Sequence, residues 1–487
     1  MNIAPQPWVR GAIARLTPVA WRALKPKRKN ASRADIVSQS HIMRGRNAST
    51  HCLYFIAISD RVHRSNALSP NHMAKLTLSD PMSKAPFPPD HSAVPEQSFQ
   101  GRAFAQLQAG RVQLFGFREI EGLEELWQDL ETNGTCGPYQ RLEWIRSWLT
   151  TLGQNAATRP VMVSVHARGR PVGLLPLAVT AKGTFQILTF AGQNYVNQNT
   201  GLWADNAEAE FDPTELLAAL RGLAGKIGAD LVQLNNLASG PGGSDNPLYL
   251  AACIPSVHPL FETALSGSFD ELFRQTHKKE SRKKLLRKER GLRESGAFSI
   301  EKASSSLQIE TALSAFFAQR SAREKNAGIP NAFGSKAEQD FVRKLASEPD
   351  IGTAPLSVWS LNVAGKVRAV FLTVRTASHL SGYAISFSED DLSVYSPGLV
   401  LLKNVLQTEM QTGGLLALDL GIGDERYKRS WTNPVQLKDL VCATSAKGTI
   451  ALTALKALQA VKTRVRRSKK LWPMVRKMRQ RLARSSK

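Results

Sequence analysis

The chain has 487 residues, 42% of them hydrophobic, and a formal net charge of +24 from 64 Lys and Arg against 40 Asp and Glu. This length and apolar content exclude a wholly disordered protein and predict two or three domains with their own cores. Residues 1–81 contain 13 basic and 3 acidic side chains and residues 446–487 contain 14 basic and none acidic, whereas residues 82–445 contain 37 of each. Any contact with a nucleic acid or a membrane is therefore a question about the two ends.

The cysteines lie far apart and show neither CxxC nor Cys/His spacing, which predicts reduced thiols and neither a zinc site nor a disulfide framework. The chain contains no run of about 18 apolar residues, which predicts that no segment spans a membrane. The first residues lack a continuous apolar segment, which argues against a secretory signal. We expect a cytoplasmic protein without a bound metal. The four cysteines are Cys52, Cys136, Cys253 and Cys442.

Residues 1–104 are predicted to be a disordered extension that is basic and rich in Pro, because they show no sustained hydrophobic periodicity. Met82 stands shortly before globular composition begins. One hypothesis is that residues 1–81 are dispensable or reflect an over-long start assignment. N-terminal sequencing of the native protein tests the start-site version, which intact residues 1–81 would contradict.

The same order of elements occurs twice between residues 105 and 445. A β-hairpin turning at Gly169 returns about 190 residues later as a hairpin turning at Gly365. Each hairpin is followed by a strand, a helix and a strand, predicted at 185–190, 213–226 and 230–234 and again at 379–385, 397–412 and 415–420. The predicted fold is mixed α/β, with an N-terminal module at 105–262, a C-terminal module at 263–445 and a candidate site in the cleft between them.

Two basic segments flank the second copy. Phe269 to Arg293 has helical spacing and ten basic residues. It is either a solvated helix face or a phosphate-contacting helix whose basic residues, Arg282 and Arg287 among them, bind a pyrophosphate or an anionic substrate. Residues 446–487 form a basic amphipathic helix, broken at Pro473, that either docks on its own domain or lies on an anionic membrane surface. The second possibility would place the protein at the inner face of the membrane.

The stretch from Tyr395 to Trp431 combines a helix start with a polar cluster. Ser396 is a favoured N-cap residue, Pro397 suits the first helical position, and Gly398 lets a ligand approach the backbone. A helix N-terminus of this kind can hold a phosphate. The strand after the helix ends at residues 419–423, and ionisable side chains follow it. Together these features predict a site for small-molecule transfer.

These residues resemble the CelD-like (cellulose-biosynthesis) acetyltransferases, a branch of the GNAT acyltransferase superfamily that is related to the Fem-type aminoacyltransferases. The resemblance rests on Tyr-Ser-Pro-Gly at 395–398, on Asp-x-Gly-x-Gly-Asp-Glu-x-Tyr-Lys-x-x-Trp at 419–431 and on the basic stretch from Arg282 to Arg293. The first copy matches more loosely, and the whole resemblance covers about residues 112–445. It implies tandem GNAT folds that transfer an acyl group from a thioester to an amine or hydroxyl, often in polysaccharide production.

The resemblance also implies roles for individual residues. Asp419 or Glu425 would act as general base and Tyr427 would protonate the leaving thiolate. Residues Tyr395, Ser396, Pro397 and Gly398 would hold acetyl-CoA or another acyl-CoA. The usual pyrophosphate loop of the family is reduced here to Ser396, Pro397 and Gly398. Arg282, Arg287, Lys428 and Trp431 would contact a small-molecule or saccharide acceptor. Structural alternatives remain: Asp419 caps a turn, Tyr427 and Trp431 pack in the core, and Lys428 is a surface charge.

Two other functions remain open. The first is a non-catalytic binding module of degenerate GNAT fold that its basic ends recruit to a membrane or polyanion, with binding that weakens steeply as salt rises. The second is Fem-like transfer from aminoacyl-tRNA. It ranks last, because the basic residues at 274–293 are not interleaved with aromatic side chains that could stack on bases. Nucleic acid is therefore not an expected partner, and chemistry is expected in the second copy.

Overall fold

A computed structural model describes residues 102–239, 246–327, 331–347, 354–467 and 474–475. All of them belong to one compact unit, Phe87–Lys487. The predictions made for residues 1–101, including the start-site hypothesis, lie outside the described residues.

Strands and helices are interspersed along the whole described chain. Its first part contains β1 (Ala105–Ala109), β2 (Val112–Phe117), α1 (Glu124–Asn133), β3 (Thr135–Cys136), α2 (Leu142–Leu149), β4 (Thr158–Ala167), β5 (Arg170–Lys182), β6 (Phe185–Phe190), β7 (Leu202–Trp203), α3 (Pro213–Lys226), β8 (Leu231–Leu237) and β9 (Cys253–Pro255). Its second part contains β10 (Leu260–Ala264), α4 (Phe269–Thr276), α5 (Lys279–Glu294), β11 (Phe298–Lys302), α6 (Ser306–Ala327), α7 (Lys336–Ser347), β12 (Ser357–Val363), β13 (Lys366–Arg375), β14 (His379–Phe387), α8 (Pro397–Thr412), β15 (Ala417–Ile422), β16 (Asn433–Val435), β17 (Lys438–Ala443) and α9 (Ala446–Arg467).

Two mixed sheets carry the predicted duplication. In the first, β4, β5 and β6 are antiparallel neighbours and β6 is parallel to β8. In the second, β12, β13 and β14 are antiparallel neighbours and β14 is parallel to β15. The prediction of a mixed α/β fold built from two similar modules is confirmed.

The two hairpin turns show the duplication residue by residue. Arg168 and Gly169 both have positive φ, and so do Ala364 and Gly365, which gives each hairpin the two-residue turn that matches strand twist. A bulge interrupts the first hairpin between Val165 and His166 and the second between Leu361 and Asn362. The two irregularities precede their turns by the same number of residues, which is the expected signature of a repeated unit.

The first sheet is completed by a strand from the C-terminal end of the chain. β17, from the C-terminal end, lies between β8 and β9 in the first sheet, and β10 pairs with β15 in the second. The predicted boundary between residues 262 and 263 falls inside β10, so it does not separate the two sheets. The predicted domain division is therefore not a division between independently built sheets.

The helices of the two modules also share a hydrophobic core. Trp127 and Trp144 of the first module and Phe316 and Phe341 of the second are buried in one cluster. The rings of Trp144 and Phe341 meet edge to face with centroids 5.8 Å apart, a favoured geometry. This shared core holds the two modules in a fixed relation.

Two predicted elements differ from the structure. The segment from Phe269 to Arg293 is two helices, α4 and α5, because His277 is extended and ends the first. β15 covers Ala417–Ile422 and not 415–420, so Asp419 lies inside the strand, and its carboxylate accepts from the Gly421 N–H at 2.8 Å, as a turn-capping Asp does. β15 extends further than predicted because its pairing with β10 continues as far as Ile422.

The start of α9 docks on the first sheet. Lys447 lies 3.3 Å from Asp230 and Ala451 is buried. The predicted helix is present at 446–467, and Pro473 lies outside the described residues. Among the helices described here, none is long and apolar enough to cross a membrane.

Leu440 of β17 is fully buried in the core of the first module. We expect Leu440→Ala to lower the free energy of unfolding by about 2–5 kcal/mol, because it leaves a cavity in a packed core. Leu416→Ala is the matched control, because Leu416 is 66% exposed and its truncation should cost less than about 0.5 kcal/mol. Urea unfolding measures both, and equal losses would contradict the placement of β17.

Candidate functional site

The second sheet opens where β14 and β15 separate. The two strands are parallel neighbours only from His379 to Ser381 on β14 and from Ala417 to Asp419 on β15. Beyond these residues β14 stays paired with β13 and β15 stays paired with β10. The facing edges of the two strands therefore lack a strand partner, and their backbone groups need other partners.

A cavity of about 250 Å³ lies at this opening. It is smaller than the roughly 300–1,000 Å³ typical of pockets for drug-sized ligands, so it suits the reacting ends of substrates. Residues from both modules line it. They are Asn194, Tyr195, Val196, Asn197, Arg320, Arg323, Ala332, Phe333, Phe371, Gly382, Tyr383, Ala384, Ile385, Leu420, Ile422, Glu425, Tyr427 and Lys428.

A loop of the first module enters the opening from one side. The side-chain amide of Asn197 donates to the carbonyl of Gly382 at 3.2 Å and to the hydroxyl of Tyr139 at 3.1 Å. Gly421 has φ +75°, and a Cβ there would lie 2.6–3.0 Å from the Asn197 side chain. One module thus supplies part of the wall of the other module's cavity, as the predicted cleft between copies requires.

The equivalent opening in the first module is filled by the chain itself. β6 and β8 pair only at Ile187 and Leu188, and Asn199 then bridges to β8. The Asn199 N–H donates to the carbonyl of Asn236, and the carbonyl of Asn199 accepts from Ala238. This difference between the modules supports the expectation that chemistry belongs to the second copy.

Asp419 is fully buried beside the opening and does not line the cavity. Its carboxylate accepts hydrogen bonds from Ser381 at 2.5 Å, Gln198 at 3.1 Å and the Gly421 N–H at 2.8 Å. Burial raises the pKa of Asp419 to about 6, against the lowering effect of Ser381 and Gly421. These contacts make Asp419 an anchor for the loop of the first module, without direct contact with the cavity.

Glu425, Tyr427 and Lys428 line the cavity as predicted. Lys428 Nζ lies 2.9 Å from Glu425 Oε2 and donates to the carbonyl of Ile422 at 2.6 Å. Lys428 is buried, so the alternative that it is a surface charge is wrong. Burial, followed by the charge of Glu425, raises the pKa of Tyr427 well above its ordinary value, and its phenol therefore stays protonated near neutral pH.

The N-terminus of α8 lies beside β14, with the Cβ position of Gly398 within 4 Å of Phe387 and Ile385. Ser396 occupies the N-cap position as predicted, but it has φ +52° and its side chain makes no capping hydrogen bond. Its hydroxyl accepts from Lys288 Nζ at 2.5 Å. Pro397 occupies the first turn, as predicted, and a Cβ on Gly398 would contact Ile385 of the cavity wall at 3.7 Å.

The other predicted site residues do not line the cavity. Tyr395 packs against Gly291 of α5, and Arg282 donates to the carbonyl of His277 at 2.6 Å. Arg287 is exposed on α5. Trp431 is buried and stacks on Phe273 with centroids 5.6 Å apart. The structure therefore gives Tyr395, Arg282 and Trp431 roles in packing and helix ends, and leaves Arg287 facing solvent.

The sequence interpretation missed two arginines of the cavity wall. Arg320 and Arg323 on α6 both line the cavity, and neither is among the predicted site residues. A signal was present, because Phe316, Arg320 and Arg323 are spaced i, i+4 and i+7 on one helix face. Phe316 is fully buried, so the two charges share the face that meets the sheet.

Comparison with known families gives one match. Residues 279–429 match the family described as "Acetyltransferase (GNAT) domain". This range covers about a third of the chain and contains α5, the separated strands and all three predicted cavity residues. Since the first module repeats the strand order of the second, the chain has the predicted tandem GNAT-like fold. No curated protein matches this chain.

Several solved structures are similar over most of their own length at low identity. FemX is 10% identical with a TM-score of 0.46, covering 66% of this chain and 96% of its own. A tandem GNAT protein from the clavulanic acid biosynthesis pathway is 12% identical with a TM-score of 0.39, covering 69% and 99%. L-PGS from Bacillus licheniformis is 13% identical with a TM-score of 0.40, covering 64% and 96%. Likeness at this level assigns no activity.

The contact between Gly421 and Asn197 can be tested with a matched pair of glycines. We expect Gly421→Ala to lower the free energy of unfolding by about 1–3 kcal/mol more than Gly183→Ala, because only Gly421 lacks room for a methyl group. Gly183 also has positive φ, at +63°, but nothing lies within 4 Å of its Cβ position. Each variant therefore carries the same backbone strain of about 1–2 kcal/mol, and equal losses in urea unfolding would disprove the contact.

Burial of Asp419 also predicts a pH dependence of stability. Its pKa is raised from 3.8 to about 6 in the folded chain, so the folded state binds a proton that the unfolded state releases at lower pH. The contribution of Asp419 to the free energy of unfolding should therefore fall as pH rises from about 4 to about 6, and the difference between the wild-type and Asp419→Asn profiles should change by about 2–3 kcal/mol across this range. Urea unfolding across this range measures it, and parallel profiles for the two proteins would refute it.

Proposed function

We propose that this protein is an acyltransferase that moves an acyl group from an acyl-CoA, such as acetyl-CoA, to an amine or hydroxyl of an acceptor. The observation that carries the proposal is the cavity where β14 and β15 separate. It lies in the stretch that matches a GNAT domain and is lined by Glu425, Tyr427 and Lys428. The combination of a carboxylate, a protonated phenol and a cation around a small cavity suits acyl transfer.

The residues at the start of α8 fit the phosphates of an acyl-CoA. The backbone N–H groups at a helix N-terminus favour anions, and Lys288 lies against Ser396 at this point. Burial, and then the neighbouring charge of Lys284, lower the pKa of Lys288, as expected for a cation held among other cations. An acyl-CoA bound here would supply a thioester that is already activated toward attack.

The cavity residues can manage the protons of the reaction. The Glu425 carboxylate, held by Lys428, is placed to accept a proton from the attacking amine or hydroxyl. Tyr427 is protonated near neutral pH, as phenols ordinarily are, and it can give that proton to the departing sulfur. Neither step needs a covalent bond to the protein.

The finer assignments belong to this proposal as well. The pattern at 419–431 supports a CelD-like enzyme of polysaccharide or cell-envelope synthesis with a small-molecule or saccharide acceptor. The basic segment 446–487 supports a cytoplasmic protein held peripherally at an anionic membrane surface. Salt-sensitive cosedimentation with anionic vesicles, lost on removal of 446–487, would test the membrane role.

Two substitutions test the catalytic roles. We expect Glu425→Gln and Tyr427→Phe each to lower turnover of acetyl-CoA by about 100-fold or more, because each removes a proton-transfer group. Their affinity for acetyl-CoA should not change, because neither residue lies at the start of α8. Release of free thiol over a panel of amines and sugars measures turnover, and calorimetry with acetyl-CoA and desulfo-CoA measures affinity.

Asp424→Asn is the matched control for the same loop. Asp424 is exposed, pairs with Arg429 at 2.6 Å and does not line the cavity, so its variant should turn over like the wild type. Wild-type rates in Glu425→Gln and Tyr427→Phe would remove both residues from the mechanism. Failure of the full chain to bind acetyl-CoA and desulfo-CoA would instead favour the non-catalytic binding module.

A further inference from the structure

Arg320 and Arg323 place two positive charges on the wall of the cavity. Both lie on α6, and neither has a carboxylate within salt-bridge distance among the described residues. Burial, and then the charge of Arg323, lower the pKa of Arg320. Two partly buried like charges that face one space are unfavourable unless something neutralises them.

The rest of the cavity wall does not neutralise them. Glu425 is the acidic residue of the lining, and its carboxylate is already paired with Lys428 at 2.9 Å. The lining therefore carries an excess of two positive charges. Other arginines of the same module differ from this pair. Arg343 binds Glu310 at 3.0 Å, and the buried Arg368 binds Asp390 at 2.5 Å.

Ring contacts orient the two guanidinium groups without using their hydrogen-bond donors. Arg320 lies over Phe333 with its central carbon 5.4 Å from the ring centroid, and Arg323 lies over Phe387 at 5.7 Å. Such contacts contribute modestly to stability. A planar fork with free N–H donors is the arrangement that binds carboxylate or phosphate with two hydrogen bonds.

The helix α6, which carries both arginines, packs on the face of the sheet opposite to α8, and Arg323 reaches Phe387, which also lies beside Gly398 at the start of α8. Phe316 of α6 packs with Val370 and Leu372, whereas α8 packs with Phe371 on the other face. The cavity reaches both faces, since Arg320 and Phe371 both line it. A ligand bound by the arginines would therefore enter the opening from the side of α6.

We propose that Arg320 and Arg323 bind an oxyanion of the acceptor, a carboxylate or a phosphate, and so select acidic acceptors. The identification of the ligand as the acceptor rests on the proposed function, but the oxyanion site itself does not depend on catalysis. It narrows the amine or hydroxyl substrates to those that carry a negative group close to the reacting atom.

The test measures binding without any acyl donor. Inorganic phosphate, acetate and neutral acetamide are titrated against the full chain by ligand-observed NMR. The basic ends of the chain contribute equally in every variant, so the difference between variants is the measured quantity. We expect saturable binding of phosphate or acetate and none of acetamide, with the tighter of the two anions identifying the group. Arg320→Gln and Arg323→Gln should each weaken that binding by about tenfold or more.

Lys325→Gln is the matched control, because Lys325 is exposed on the same helix and does not line the cavity. It should bind the anions like the wild type. Arg320→Lys and Arg323→Lys, which keep the charge but lose the fork, should weaken binding less than the Gln variants, and they replace them if those fail to fold in circular dichroism.

Three results would overturn the proposal: equal anion binding in the wild type and the arginine variants, equal binding of acetamide and acetate, or no binding of either anion. Calorimetry with acetyl-CoA is independent of all three. A chain that binds the anions but not acetyl-CoA would keep the oxyanion site and refute the acyltransferase. A chain that binds acetyl-CoA but not the anions would refute the oxyanion site and keep the proposed acyltransferase.

Discussion

The separation of β14 from β15 is the constraint on which the candidate site depends. Two parallel strands that part after three paired residues leave backbone groups without sheet partners, and such groups must be satisfied by side chains, water or a ligand. Asn197 satisfies one of them, the carbonyl of Gly382. The remaining space is the cavity. In the first module Asn199 bridges the matching gap, so the same architecture yields an open site once and a closed one once.

The return of the chain to the first sheet helps to hold the two modules together, so that a loop of one can line the cavity of the other. β17 returns to the first sheet and β10 joins the second, so the chain crosses between modules twice. The shared core of Trp144 and Phe341 adds a further contact. A wall built from two modules keeps its geometry only if they cannot move apart, and these features together hold them.

The charges of the second module have separate roles. The buried pair of Glu289 and Lys403, 2.8 Å apart, joins α5 to α8, and Arg368 joins β13 to the segment before α8 at Asp390. Asp419 holds the entering loop through Ser381 and Gln198. Among the described residues, Arg320 and Arg323 have no such carboxylate partner, and both line the cavity. The basic residues of the second module therefore include some that stabilise the fold through ion pairs and two that are available to bind a ligand.

Local patterns were sufficient to predict most elements of the fold and three residues of the site. Alternating hydrophobicity and the turns at Gly169 and Gly365 predict the duplicated hairpins, and the polar run after β15 predicts Glu425, Tyr427 and Lys428, because both signals come from neighbours in the chain. Only the tertiary structure showed that β17 joins the first sheet, that Asp419 is buried and that Asn197 reaches the cavity of the second module. These depend on contacts between residues far apart in sequence, which no local period encodes. Arg320 and Arg323 lie between the two cases: their spacing places them on the buried face of α6, but only the fold shows that this face meets the gap between two parting strands.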